Sequence, residues 1–129
     1  MDKNKIILQA SAIEPASGDE YHFQLEYYVF MQDSSYIAYC PSLDMSTSAD
    51  NFNEAISNFY EAFQLYVETC VEYGTLQQDL ELHGWKILKA GVRPPKTTTV
   101  LRKPEMKRLL DSNTSYERIV TPARIPALS

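Results

Sequence analysis

The chain has 129 residues, of which 44% are apolar and 22% are charged, a length and composition typical of one soluble globular domain. It contains no apolar run of about 18 residues, which excludes a membrane-spanning helix, and the lysine-flanked apolar patch near the start is too short for a secretory signal. The sequence therefore predicts a cytoplasmic protein with no membrane partner.

The charge is distributed unevenly along the chain. Residues 1–85 contain 2 basic and 14 acidic side chains, a net charge of −12, whereas residues 86–129 contain 10 basic and 3 acidic ones, a net charge of +7. An acidic body followed by a basic segment indicates two surfaces with different partners. The alternative, in which the basic segment packs on its own acidic body, stays open.

Three strands are predicted in the first third of the chain. Residues 6–13 are apolar enough for a first strand, and the proline and glycine after it end that strand. Apolar and polar side chains alternate over residues 21–31, the period of a strand with one apolar face. Tyr28 and Phe30 interrupt the polar face, so part of it is predicted to be covered too. Residues 36–40 form a third strand, and the short connections imply an antiparallel meander.

A long amphipathic helix is predicted over residues 52–73. Apolar side chains recur there at spacings of three and four, which places them on one stripe that is suited to lie on a sheet. Asn51 supplies an N-cap and Gly74 a left-handed end. Three glutamates lie off that stripe and are predicted to be solvated: Glu54, Glu61 and Glu68.

The second half of the chain has shorter patterns. The predicted elements are a short helix at residues 76–82, a fourth strand at residues 85–88, a strand at residues 97–101 and a helix beginning at Pro104. Pro94 and Pro95 mark a linker. From Asp111 onward the segment is rich in Ser, Thr, Pro and Arg, and its few apolar residues predict an extended or docked tail.

The residue types that carry chemistry are few and dispersed. His22 and His83 are the only histidines, and Cys40 and Cys70 lie far apart in sequence, so no cluster has the spacing of metal ligands. Free thiols are expected for both cysteines in a cytoplasmic protein. The four glycines form no phosphate-binding loop. The sequence therefore predicts a protein that is not an enzyme and that holds no metal or cofactor.

Residues 36–63 resemble the signature of the HicB-like antitoxin family. That family has a strand of the form Y-x-A-x-x-P-x-L, a turn with a threonine and a helix that opens in x-E-A. The matching residues are Tyr36, Ala38, Pro41 and Leu43 in the strand and its exit, Thr47 in the turn, and Glu54, Ala55, Glu61 and Ala62 in the helix. The chain departs from the family before the helix, where Ala49-Asp50-Asn51 replaces a Gly-Asp-Thr step.

The resemblance implies an α+β, partial ribonuclease-H-like fold of the order β-β-β-α-β, with an antiparallel sheet covered on one face by the long helix. It implies a HicB-like domain at residues 1–92 and a basic C-terminal extension at residues 93–129. Members of the family bind and neutralise a small RNA-cleaving HicA toxin, and many carry a C-terminal DNA-binding segment. The expected function is therefore antitoxin-like binding of a HicA-like protein, with DNA contact by the tail.

Two other hypotheses stay open. The first is a stand-alone interaction protein that keeps the fold, forms homo-oligomers and has no toxin. The second is a ribonuclease-H-type hydrolase, which requires Asp44, Glu54 and Glu61 to converge on a metal. The residues predicted to bind a partner are aromatic or basic: Tyr28, Tyr36, Tyr39, Arg102, Lys103, Lys107 and Arg108. Strand packing of the tyrosines and a solvated helix face for the basic residues are the alternatives.

Overall fold

The structure, a computed structural model, describes residues 8–9 and 20–128. Its strands are Leu8–Gln9 (β1), Glu20–Gln32 (β2), Ser35–Cys40 (β3), Met45–Ala49 (β4), Lys86–Leu88 (β5), Gly91–Arg93 (β6) and Tyr116–Pro126 (β7). Its helices are Phe52–Glu72 (α1), Leu76–Leu82 (α2), Thr97–Val100 (α3) and Pro104–Asp111 (α4). The remainder of the predicted first strand lies outside the described residues.

The main sheet of the described residues has the strand order β1-β7-β2-β3-β4. The neighbours are antiparallel, except that β1 runs parallel to β7. A meander is present, but its members are β2, β3 and β4 and not the predicted first three strands. The α+β class with a four-stranded antiparallel sheet is thus confirmed.

The strands β2 and β3 have nearly their predicted bounds. The turn between them consists of Asp33 and Ser34, whose φ angles of 51° and 69° are the left-handed values of a type I′ hairpin turn. Every second side chain of β2 faces the main core, and Leu25 and Tyr27 there are fully buried. Tyr28, on the other face, is also buried, which confirms that this face is covered in part.

The helix α1 lies on the face of the sheet that holds Tyr27, called the inner face below. The ring of Tyr27 stacks on that of Phe59 with 4.2 Å between centroids. At the start of α1, the Asn51 side-chain oxygen accepts the backbone N–H of Glu54 at 2.9 Å, and Gly74 ends the helix with φ at 67°. The predicted helix, its cap and its end are all confirmed.

The helix α4 covers part of the opposite face, called the outer face below. Met106 and Leu109 lie one turn apart and are buried against Tyr28 and Tyr39. We call these four residues the outer cluster; at its margins lie Phe30, Ile37 and Leu101. The predicted helix beginning at Pro104 is confirmed, and the fold has a helix layer on each side of the sheet.

The strand β7 corrects the prediction of a C-terminal tail. All 11 of its residues pair with β2, and Ile119, Ala123 and Ile125 are buried in the main core. The sequence predicts for this segment an extended or docked tail with too few apolar residues to build a core; it is instead a strand of the main sheet, and strand alternation directs all three residues to the core on the inner face. The same core contains residues from both sides of the predicted division at residue 92.

Two further predictions need correction. The strand predicted at residues 85–88 is present as β5, but it pairs with β6 in a separate two-stranded sheet and does not join the main one. The predicted strand at residues 97–101 contains the helix α3, in which Val100 is buried and the Thr97 hydroxyl donates to Glu26 at 3.3 Å. Strand propensity depends on packing context, so β-branched residues alone do not make a strand. The strand β4 has no strand pattern in the sequence and forms by pairing with β3.

Candidate functional site

A groove of about 600 Å³ lies between α4 and the outer face of the sheet. Phe30, Ile37, Tyr39 and Leu109 supply most of its apolar lining. Its charged lining residues are Asp44, Glu105 and Arg108. Volumes of about 300–1,000 Å³ with an apolar lining and a few polar groups are typical of ligand sites. The groove therefore has the volume of a ligand site and a lining of both apolar and charged side chains.

The two carboxylates of the groove lie near the phenol of Tyr39. The Tyr39 hydroxyl donates a hydrogen bond to Asp44 Oδ1 at 3.1 Å. Burial raises the pKa of Tyr39, and the hydrogen bond to Asp44 and the negative charges of Asp44 and Glu105 raise it further. The Tyr39 hydroxyl therefore stays protonated and donates this hydrogen bond. We call the part of the groove that contains Asp44 and Glu105 the acidic end.

A second polar cluster on the outer face is centred on Glu26. Its carboxylate accepts hydrogen bonds from Tyr28 at 2.7 Å, from Arg118 at 2.8 Å and from Thr97 at 3.3 Å. Burial alone raises the pKa of Glu26, but the hydrogen bonds from Arg118 and Tyr28 and the Arg118 charge lower it, and the result is a lowered pKa. These bonds connect β2, β7 and α3, so the cluster holds the fold together.

The three tyrosines predicted to bind a partner do not lie on one surface. Tyr28 and Tyr39 are 2% and 7% exposed in the outer cluster, whereas Tyr36 is half-buried against the main core. Burial and the hydrogen bond to Glu26 raise the pKa of Tyr28 to about 12. Among the three, Tyr39 lines the groove.

The four basic residues predicted to bind a partner all lie in or just before α4. Arg102, Lys107 and Arg108 are exposed and Lys103 is half-buried. Arg108 lines the groove together with Glu105, one turn before it on the helix. The other three lie outside the groove lining, so the structure separates one member of the predicted group from the rest. Their role in binding stays a prediction.

An acidic surface lies on the other side of the molecule, on α1 and α2. These helices contain no Lys or Arg, and their carboxylates form what we call the acidic layer: Glu54, Glu61, Glu68, Glu72, Asp79 and Glu81. Glu54 and Glu61 are exposed as predicted, and Glu68 is half-buried. Large apolar side chains are exposed in the same region, with Leu65 at 63% and Leu82 at 77%. The basic segment also contacts the acidic body, because Arg118 pairs with Glu26 at 2.8 Å and Arg124 with Glu20 at 3.4 Å, so both alternatives for the uneven charge have some support.

The structure does not bring together the carboxylates that a ribonuclease-H-type centre needs. Asp44 bonds to Tyr39 at the outer face, whereas Glu54 and Glu61 are on the exposed side of α1, which covers the inner face. No three His, Cys, Asp or Glu side chains lie close enough to hold a metal ion within the part of the chain that the structure describes. In that same part, no helix has the length and apolarity needed to cross a membrane.

The cysteines and histidines also lie apart. Cys40 is fully buried on the inner face, and burial raises the pKa of its thiol to about 11. His22 is exposed on the outer face of β2, so the sheet separates it from Cys40. Cys40 and Cys70 are both free thiols, as predicted. His83 contacts the backbone carbonyl of Asp79 through Nδ1 at 2.8 Å, a local helix-end contact.

Comparisons with protein-family models, with curated proteins and with solved structures find no match to this chain.

Sequence reasoning missed the groove and its two carboxylates. Two signals point to it in retrospect: the apolar pair Met106 and Leu109 on α4, and the apolar positions Tyr28 and Phe30 on the polar face of β2. Together they show that a helix covers the outer face. The acidic end could not be inferred, because Asp44 lies in a loop whose position depends on the unpredicted strand β4.

Proposed function

We propose that this protein works by binding, as an antitoxin-like protein whose acidic layer takes a small basic RNA-cleaving protein of the HicA type. The observation that carries the proposal is the acidic layer itself, in which α1 and α2 present carboxylates without a single Lys or Arg. Exposed apolar side chains lie among these carboxylates, with Leu65 on the same side of α1 as Glu61 and Glu72.

The physical roles of the two kinds of side chain differ. Carboxylates of one sign steer a basic protein toward the surface and disfavour acidic competitors, an effect that salt screens over about 8–10 Å. Apolar side chains supply the contact area that water leaves on binding, and a few of them dominate the affinity. A surface that combines Leu65 with Glu61 and Glu72 provides both.

The order of the elements of the main sheet and its long helix supports a HicB-like, partial ribonuclease-H-like fold in this proposal. When β1 and the elements between α1 and β7 are left out, the order is β-β-β-α-β for β2, β3, β4, α1 and β7; this set replaces the predicted one, in which the last strand is at residues 85–88. Three residues that carry the resemblance are buried where the strand leaves the sheet and the helix begins: Pro41, Leu43 and Ala55. The proposal therefore includes a HicB-like, partial ribonuclease-H-like fold, with β7 as its last strand.

The test titrates the full chain with a small basic RNA-cleaving protein of the HicA type. Calorimetric titration at low and high salt is expected to show binding that weakens as the salt concentration rises. Glu61→Lys and Leu65→Ser should each weaken binding by about tenfold or more, because they change the centre of the contact. Asp111→Lys makes the same charge change on the exposed end of α4 and should leave the affinity within about twofold. Equal affinities for Glu61→Lys and Asp111→Lys would refute the assignment of the surface.

A second candidate function is a stand-alone oligomeric interaction protein. The strand β4 is an edge of the main sheet and carries none of the charged or proline residues that commonly protect an edge from pairing with another chain. Pairing of two copies through β4 would extend the sheet across both. Size-exclusion chromatography with light scattering tests this candidate, and a monomer over the accessible concentration range would exclude it.

DNA contact by the basic residues of α4 is a third element of the proposal. Arg102, Lys103 and Lys107 lie outside the groove, on the side of the sheet opposite the acidic layer. Phosphate contacts made by such residues depend steeply on salt and carry little sequence information. Fluorescence anisotropy with a labelled duplex of mixed sequence measures that contact, and no binding at low salt would remove it.

A further inference from the structure

The lining of the groove on the outer face contains two carboxylates, Asp44 and Glu105, and one basic side chain, Arg108, which lies one turn after Glu105 on α4. Asp44 and Glu105 both act on the phenol of Tyr39, and both are exposed. No ion pair between described residues involves either of them. Both carboxylates line the same groove, and their negative charges favour a cation there. The acidic end of the groove is therefore complementary to an ammonium or guanidinium group.

The middle of the groove is apolar and open to solvent. Phe30 and Ile37 are only half-buried, although they lie beside the buried Leu109 of the outer cluster. Met31 at the rim is 47% exposed. Apolar surface in a concave site favours an apolar ligand group, because contact there removes water from both partners.

The dimensions of the groove match a short extended peptide. From Glu105 to Ser112 its wall follows α4 for seven residues, which is about 10 Å at 1.5 Å per residue. An extended peptide covers that length in about three residues. Its side chains at positions two apart point to the same side and are about 6.5–7 Å from each other. Glu105 and Leu109, one helical turn apart, are separated along the helix by about 6 Å.

We propose that the groove binds an extended segment of a partner protein that carries one Lys or Arg and, two residues away, a large apolar side chain. The cation lies between Asp44 and Glu105, and the apolar side chain lies on Phe30, Ile37 and Leu109. This site goes beyond the function proposed above, because it lies on the face of the sheet opposite the acidic layer.

Arg108 makes the site selective for a single cation. It lies one turn after Glu105 in the wall of the groove and has no carboxylate partner among the described ion pairs. A second basic side chain placed over the apolar middle meets this positive charge, which disfavours polybasic segments. At the far end the Thr114 hydroxyl can bond to the backbone of the segment, whereas the Ser112 hydroxyl already donates to the Leu109 carbonyl at 2.8 Å.

The test is a titration of the full chain with a labelled, end-blocked octapeptide that has arginine, glycine and leucine at its centre and glycine and serine elsewhere. Fluorescence anisotropy should show saturable binding, and amide shifts in nuclear magnetic resonance should change most at Ile37 and Leu109. The double variant Asp44→Asn, Glu105→Gln should weaken binding by about tenfold or more. Asp44→Asn keeps an oxygen acceptor for the Tyr39 hydroxyl, and a thermal melt shows whether the fold is intact.

Matched controls decide between this site and general attraction of cations. Neutralising Glu54 and Glu61 to glutamine removes the same charge from the acidic layer and should change the affinity by less than about twofold. Peptides with glutamate for arginine, or serine for leucine, should bind at least about tenfold more weakly. Equal binding of a triple-arginine peptide, of arginine amide alone, or by the Asp44 and Glu105 double variant would overturn the proposal. Each of these results is independent of whether the acidic layer binds a basic protein.

Discussion

The substitution Ile119→Ala measures directly whether β7 belongs to the core. Ile119 is fully buried on the inner face, where it is paired with Tyr27 of β2. The change removes three buried carbon atoms, at about 0.8 kcal/mol each by transfer, and leaves a cavity, so the expected loss in the free energy of unfolding is about 3–4 kcal/mol. With a urea dependence of about 1–3 kcal/mol/M, the unfolding midpoint should fall by about 1–4 M.

A control substitution at the neighbouring position distinguishes a strand inside the core from a docked tail. Val120 is half-buried and points to the outer face, so Val120→Ala should cost about 1 kcal/mol or less. Urea unfolding followed by far-ultraviolet circular dichroism and by tryptophan fluorescence gives both values. A strand inside the core predicts a large difference between the two variants, whereas a docked tail predicts small and similar losses. A loss below about 1 kcal/mol for Ile119→Ala would refute the placement of β7.

Three further predictions concern single side chains. Trp85→Phe removes the indole N–H that donates to the backbone carbonyl of Ser42 at 2.8 Å, so the free energy of unfolding measured in urea should fall by about 1–3 kcal/mol. An unchanged unfolding midpoint would contradict this. Burial raises the pKa of Glu26, but the hydrogen bonds from Arg118 and Tyr28 and the Arg118 charge outweigh it and lower the pKa in the fold, so the carboxylate stabilises the fold above its ordinary pKa and this contribution is lost as the pH falls through the lowered one. The stability of Glu26→Gln should therefore vary less over this acidic range, and parallel curves would count against it. The buried Cys40 thiol, with a pKa of about 11, should react with Ellman's reagent only after unfolding, whereas the partly exposed Cys70 should react in the folded protein. If folded Cys70→Ser protein still reacts, Cys40 is not buried.

The elements with strong local patterns were predicted correctly from the sequence. The helix α1 has an unbroken apolar stripe, a capping asparagine and a terminal glycine, so local chemistry alone determines its bounds. The strand β2 alternates over its whole length, and its two exceptions, Tyr28 and Phe30, are the positions that α4 covers. In these elements the local preferences and the tertiary contacts agree.

The remaining elements depend on contacts far along the chain. The strand β7 contains Pro122 and Pro126, which disfavour an interior strand, and its composition is that of a linker. The two described pairs of β1 with β7 are at Ala123 and Arg124, so neither proline of β7 is paired in them. The acidic end of the groove also depends on contacts far along the chain. Asp44 and Glu105 are remote in sequence and line one groove only after α4 packs on the sheet.

The position of β7 also determines when the protein can complete its sheet during synthesis. Phe30 pairs with Tyr116 and Glu20 with Pro126, so β2 has no partner on that side before residue 116 is made and no complete one before residue 126. The meander and α1 involve nearer contacts and can form earlier. Until then a nascent chain exposes a long strand edge beside an unfinished apolar core, the condition that favours aggregation. A messenger cut or stalled before the codons of β7 thus yields a product that depends on chaperones or is degraded.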